Sequence, residues 1–132
     1  MASIFTKIIN KEIPADVFYE DEKYIAILDI NPIRDGHILV IPKKEIDYIF
    51  DLNDNEYSEL MLISKKIALQ LSEKLKGKVN HKRIAMLLDG STVPHVHVHL
   101  IPVLEEDLEG LQIQRSQEIK YSLDEMKEIL VG

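Results

Sequence analysis

The chain contains no cysteine and no tryptophan. Without thiols it has neither disulfides nor thiolate metal sites. Residues 1–7 lack the charged start and long apolar run of an export signal, so the expected compartment is the cytoplasm. No apolar run approaches the roughly 20 residues needed to cross a bilayer, and no membrane association is expected. Positive charge is also scarce. Sixteen Lys and Arg stand against 23 Asp and Glu, a formal net charge of −7. A general nucleic-acid binder needs a basic face, so that class is disfavoured. A pocket can still hold a small anion through local donors.

What is present fits one soluble domain. The 132 residues are 45% hydrophobic and 30% charged, enough to bury a core. No internal repeat, linker or low-complexity segment interrupts them. Apolar residues at 4, 5, 8 and 9 predict a short amphipathic helix that stops before Pro14. Strands are expected over Val17–Glu20, Tyr24–Ile30 and His37–Pro42, separated by a polar turn and by the Asn31-Pro32 to Asp35-Gly36 loop. A long helix should start at Asn53, with Glu56 completing a capping box and Leu52 and Tyr57 forming a staple. Its stripe of Tyr57, Leu60, Met61, Ser64, Ile67, Ala68, Leu71 and Leu75 runs to Gly77 and reads as core packing. Arg83–Leu88 reads as a fourth strand, apolar on both faces. Beyond Pro102 the chain turns acidic and irregular, from Glu105 to Ser116. A last helix is signalled by Ser122 as cap, Glu125 as its box partner and Tyr121 facing Met126. The sum is a single α+β domain, about five strands in hairpin-like order with one long helix inserted.

The informative stretch is Pro94-His95-Val96-His97-Val98-His99-Leu100-Ile101-Pro102. Side chains alternate along a strand. Three imidazoles therefore share one face, and Val96, Val98 and Leu100 share the other. Three uses of that face compete. A solvated strand face is the plain one. A metal centre is the second, but the outer two Cα atoms of such a strand lie about 13 Å apart. Zinc needs nitrogens at about 2.0–2.1 Å, so a third ligand would have to come from elsewhere. Nucleophilic catalysis is the third. A neutral imidazole offers a nitrogen lone pair at neutral pH, aimed by whatever acceptor holds its other N–H. Flanking histidines able to donate suit attack at phosphorus, and Thr92 could steer a proton at the leaving group.

His95-Val96-His97-Val98-His99-Leu100-Ile101 resembles the His-φ-His-φ-His-φ-φ signature of the histidine triad family of nucleotide hydrolases and transferases. Four further segments resemble its nucleoside phosphoramidase branch: Ile4–Ile9, Lys11–Ala15, Leu28–Pro32 and Gly36–Lys44. The likeness runs in order from about residue 3 to 102. That makes residues 1–132 one histidine-triad-like domain with an acidic tail and short helix over 103–132.

The resemblance implies an α+β fold with a five-stranded antiparallel sheet, usually in a homodimer. It implies hydrolysis of purine nucleoside 5′-phosphoramidates or adenylylated amines to the monophosphate, through a covalent nucleotidyl-histidine and with no cofactor or metal. His97 would be the nucleophile, oriented by the His95 carbonyl, with His95 and His99 at the phosphate. Thr92 matches a leaving-group hydroxyl, and Asp29 matches the residue that binds the ribose. Phe5, Ile8, Ile27 and Ile30 match positions lining the purine pocket of a nucleotide such as AMP or GMP, although core packing explains their spacing equally. His37 matches a supporting histidine behind the triad. His81 matches nothing and reads as a solvated loop residue.

Three departures bear on substrate choice. Leu88-Asp89-Gly90-Ser91-Thr92-Val93-Pro94 is shorter than the Gly-rich segment of the better-known branches. It lacks their Asn and has Ser91 where a phosphate-binding Gln would stand. There is no Trp-Pro-Pro-Gly-like ending. An acidic tail bordering the site would disfavour acidic leaving groups. Transferase members replace the last histidine with Gln, whereas His99 is intact, which favours hydrolysis. A dinucleoside polyphosphate hydrolase and a nucleotide-binding or scaffolding protein are the alternatives.

Overall fold

Alternation within the strands decides the layering. The computed structural model describes residues 2–112 and 119–132. Its elements are α1 (Ile4–Ile9), β1 (Val17–Glu20), β2 (Tyr24–Leu28), β3 (Ile38–Pro42), α2 (Asp54–Leu75), β4 (Arg83–Leu87), β5 (Val98–Val103) and α3 (Leu123–Val131). Short 3-10 turns at Ile49–Asp51 and Glu105–Asp107 were not foreseen. The strands form one antiparallel sheet in the order β1-β2-β3-β5-β4. This is not a simple hairpin succession. After α2 the chain lays down β4 at the edge and returns with β5 between β3 and β4.

Tyr24, Ala26 and Leu28 of β2, Ile38 and Val40 of β3, and Val98 and Leu100 of β5 face one way. They pack on Leu60, Ile67, Leu71 and Leu75 of α2 and on Met126 and Leu130 of α3. The intervening residues Ile25, Ile27, Leu39 and Ile41 face the other way, against Phe5 and Ile8 of α1. Every residue of β2, β3 and β5 is therefore buried. The edge strand β4 is half-exposed instead, with Met86 at its surface.

The caps stand where the sequence places them. Asn53 and Glu56 close a capping box on α2, at 2.8 and 3.0 Å. Ser122 and Glu125 do the same for α3, at 2.8 and 3.1 Å. Each satisfies amides that the first helical turn would leave unpaired.

Several expectations need correction. Strand β2 ends at Leu28 rather than Ile30, because Asp29 Oδ1 accepts the Asn31 amide at 2.8 Å and turns the chain. The expected histidine strand joins the sheet ladder only at Val98. Upstream, the Val96 amide bonds to the Ile46 carbonyl and the His95 amide to Val93, so those residues leave the register. The acidic tail is regular at its start, where Glu105–Asp107 form the 3-10 turn. Asp107 is buried, and its carboxylate takes a bidentate pair of bonds from Arg34 at 2.6 and 2.8 Å. The part of that expectation from residue 113 to Ser116 lies outside the described residues. His81 is half-buried rather than solvated. Its Nε2 meets the Ser72 hydroxyl at 2.8 Å and its Nδ1 the Val79 carbonyl at 3.2 Å.

Candidate active site

Register sets the face on which the last histidine lies. His99 pairs with Leu39, so its imidazole shares the α1 side of the sheet with Ile27 and Ile41. His95, His97 and His99 are all buried, and the rings of His97 and His99 lie 4.9 Å apart. The edge of Phe5 closes over the cluster, 4.9 Å from His97 and 5.8 Å from His95. Val96, Val98 and Leu100 take the opposite face and join the main core.

Main-chain groups orient the imidazoles. His97 Nδ1 lies 2.7 Å from the His95 carbonyl. A carbonyl can only accept, so Nδ1 carries the proton and the lone pair of His97 is on Nε2. Burial pushes the His97 pKa below its ordinary value, and His95 adds to the fall. The bond to the His95 carbonyl and the charges of Asp29 and Asp89 oppose it without overcoming it. The ring is thus held neutral, as a nucleophile requires.

His95 is engaged on both nitrogens. Its Nε2 donates to the Pro42 carbonyl at 2.7 Å, and its Nδ1 meets the Ser3 hydroxyl at 2.7 Å. Ser3 also caps α1 through the Thr6 amide, at 3.1 Å. Glu45 completes this corner, accepting from the Ser3 amide at 2.7 Å and the Thr6 hydroxyl at 2.6 Å. Those bonds, the Ser3 amide foremost, hold the Glu45 carboxyl down to about 2.

A second chain of contacts stands behind His99. His37 Nε2 lies 2.9 Å from His99 Nδ1 and 3.4 Å from Asp29 Oδ2, while the Ile33 amide donates to His37 Nδ1 at 3.0 Å. Gly36, at φ +90°, turns the loop into His37. Among the described residues, Asp29, His37 and His99 are the group that brings three possible metal-ligand atoms within 4.8 Å of one another.

Two cavities flank the histidines. One of about 390 Å³ reaches His97 between Tyr48 and Phe50 on one wall and Leu88, Asp89 and Gly90 on the other. Another of about 260 Å³ opens at Asp29, Ile30 and His37, with Tyr121 and Leu123 opposite. Of the expected base-pocket residues, Phe5, Ile8 and Ile27 are buried together under α1, whereas Ile30 is 80% exposed. Ser91 and Thr92 are exposed on the β4–β5 turn, where the Ser91 hydroxyl donates to Asp89.

Sequence reasoning missed Ser3, Glu45, the Ile33 amide and the Tyr48–Phe50 wall. Ser3 was legible as a cap, since it directly precedes the apolar pattern of α1. The others act through a main-chain amide, packing or partners about 40 residues away in sequence, and carry no local signal.

A five-stranded antiparallel sheet presenting three buried, alternating histidines beside a cleft defines a histidine-triad α+β domain. The model of the HIT domain matches residues 10–106, and the chain belongs to the HIT family. It is 41% identical over 132 residues to an uncharacterized HIT-like protein of Methanocaldococcus jannaschii, covering 96% of this chain and 97% of that one. Among solved structures it is similar to a histidine triad nucleotide-binding protein from Candida albicans. That match has TM-score 0.70 and 29% identity, covering 97% of this chain and 92% of the other. It is also similar to a HIT family hydrolase from Clostridium thermocellum, with TM-score 0.67 and 32% identity over 85% of this chain and 96% of that one. No helix among the described residues is long and apolar enough to cross a membrane.

Proposed function

We propose that the protein is a nucleotide hydrolase that cleaves purine nucleoside 5′-phosphoramidates or adenylylated amines to the nucleoside monophosphate. The observation that carries this reading is the bond from His97 Nδ1 to the His95 carbonyl, which keeps the lone pair on Nε2 of a buried, neutral ring. Nε2 attacks phosphorus, the P–N bond breaks, and the departing amine takes up a proton, for which the Thr92 hydroxyl is the proposed relay. Water then attacks the nucleotidyl-histidine, the P–Nε2 bond breaks, and the monophosphate leaves. His99 donates to the phosphoryl oxygens, and His95 acts through its carbonyl. Asp29 holds the ribose hydroxyls, Ile30 offers an exposed apolar surface at the cavity rim for the base, and Phe5, Ile8 and Ile27 back the site. The similar proteins described as a hydrolase and as nucleotide-binding support the reading. A cytoplasmic homodimer is part of it. The outer edge of β4, with Met86 exposed and no strand beside it among the described residues, offers the surface for a second copy.

The test incubates the protein and its His97→Ala variant with an adenosine phosphoramidate and with diadenosine polyphosphates, quenching in alkaline denaturant to trap the acid-labile P–N adduct on His97. Turnover of the phosphoramidate should fall on the order of 10³-fold or more in the variant. Equal rates with and without His97 would sink the hydrolase reading. Preference for the polyphosphates would move the assignment to that class. Tight AMP binding without turnover would make the chain a nucleotide-binding protein.

A further inference from the structure

The hydrogen-bond directions behind His99 settle where its proton resides. A main-chain N–H can only donate. With the Ile33 amide 3.0 Å from His37 Nδ1, that nitrogen is the acceptor and the proton of His37 is on Nε2. This N–H faces His99 Nδ1 at 2.9 Å and Asp29 Oδ2 at 3.4 Å. Whichever partner takes the proton, Nε2 of His37 has no lone pair to offer in return. A proton on His99 Nδ1 would set N–H against N–H at 2.9 Å. His99 therefore accepts at Nδ1 and carries its proton on Nε2.

We propose that His37, held by the Ile33 amide, is a positioning residue that fixes His99 as its Nε2–H tautomer, so that the last histidine of the triad meets the phosphoryl group as a hydrogen-bond donor. The catalytic part of this inference rests on His97 being the nucleophile, but the tautomer does not. The two neighbouring imidazoles are set in opposite senses by opposite main-chain groups. A carbonyl leaves His97 with its lone pair on Nε2, and an amide, acting through His37, leaves His99 with a proton on Nε2. Nucleophile and donor thus stand side by side without either ring becoming charged, and the donor needs no reorganisation when charge develops on the phosphoryl oxygens. The same directions bear on the Asp29, His37 and His99 cluster. A cation there would need the lone pair of His37 Nε2, which would drive the proton onto Nδ1 and against the Ile33 N–H.

The test is a long-range proton–nitrogen correlation spectrum of the full chain labelled with ¹⁵N in its imidazoles, at pH 7, assigned by single histidine substitutions. The expected pattern has Nε2 protonated and Nδ1 unprotonated for both His37 and His99, and the reverse for His97. His37→Gln keeps an N–H donor toward His99 and should retain the His99 pattern. His37→Leu removes the donor and should shift both His99 nitrogens toward mixed-tautomer values. If His97 is the nucleophile, kcat falls about tenfold or more in the Leu variant with KM little changed, and is largely restored in the Gln variant. A wild-type His99 protonated on Nδ1 overturns the inference, and that spectrum decides even if the Leu variant does not fold. An unchanged His99 pattern in a folded Leu variant also overturns it. So does movement of the His37 and His99 nitrogens on adding stoichiometric zinc. Absence of turnover with the expected tautomer in place would count against the hydrolase reading alone.

Discussion

The Ser3 hydroxyl lies 2.7 Å from Nδ1 of His95, a residue 92 positions later in the chain. Because His95 Nε2 already donates to the Pro42 carbonyl, Nδ1 is the acceptor and Ser3 the donor. One side chain thereby starts helix α1 and pins the first histidine of the triad. The edge of Phe5, on that helix, rests on His97. The N-terminal helix is thus a wall of the site as well as part of the fold.

Replacing Ser3 by Ala should therefore cost more than a cap. Loss of an N-cap hydroxyl typically removes about 1 kcal/mol. Leaving a buried acceptor unpaired costs roughly 1–3 kcal/mol more. Urea denaturation should show a total of about 2–4 kcal/mol, whereas a loss of about 1 kcal/mol or less, the cap alone, would show that the bond to His95 contributes nothing.

How much of this was legible in advance follows from what local pattern can encode. The caps at Asn53 and Ser122, the helical stripe of α2 and the alternation of His95, Val96, His97, Val98, His99 and Leu100 are short-range signals, and the elements they predict are present. The position of β5 between β3 and β4 is not a short-range signal, and the hairpin-like order missed it. Nor was the entry of Val96 into a bond with Ile46, which delays the ladder to Val98. The histidine spacing pointed to the reaction class because side-chain identity carried it. The main-chain groups that help orient those histidines, the Ile33 amide and the His95 and Pro42 carbonyls, leave almost no mark in residue identity. Asp107 belongs by sequence to an acidic, irregular tail. Its partner Arg34 lies 73 residues away, and no local feature joins them.

The Arg34–Asp107 pair ties the loop that leads into His37 to the segment after β5. Both side chains are nearly inaccessible to water, at 5% and 2%. Removing one partner of a buried pair strands the other charge and costs roughly 3–5 kcal/mol. Arg34→Met should lower stability by about that amount in urea titrations, and a change below about 1 kcal/mol would contradict the burial. Arg34 holds the Asp107 carboxyl below its ordinary value. The depressed pKa gives stability that is full above about pH 4, the ordinary carboxylate range, and is lost as pH falls through the native value. Asp107→Asn should therefore abolish that part of the acid dependence.

Gly36 precedes His37 at φ +90°, a conformation that side-chain-bearing residues rarely adopt. An added Cβ would also meet Leu75 Cδ1 at 2.9 Å and Pro102 Cγ at 3.2 Å. Gly36→Ala should destabilise the fold by roughly 1–3 kcal/mol, read as a lowered Tm. Because the strain falls next to His37, phosphoramidate turnover should drop in protein that remains folded at the assay temperature. An alanine variant with wild-type Tm and activity would show that neither the turn nor the contact constrains this position.

The pH dependence of turnover should reveal which way the surroundings of His97 push its proton. Burial lowers its pKa most, and His95 lowers it further, while the His95 carbonyl and the Asp29 and Asp89 charges raise it. The net shift is downward from 6.5. The reactive form is neutral, so activity should be retained as pH falls past 6.5 and lost only as it passes through the lower native value. Stability follows the same sign. Between the native value and about 6.5 the unfolded chain binds a proton that the native ring refuses, so stability declines as pH falls across that window. Asp89→Asn removes a charge that favours the imidazolium, and it should move the acid limb of kcat/KM to still lower pH. A limb at or above pH 6.5, or one that rises in the Asn variant, would mean that the titrating group governing turnover is not His97.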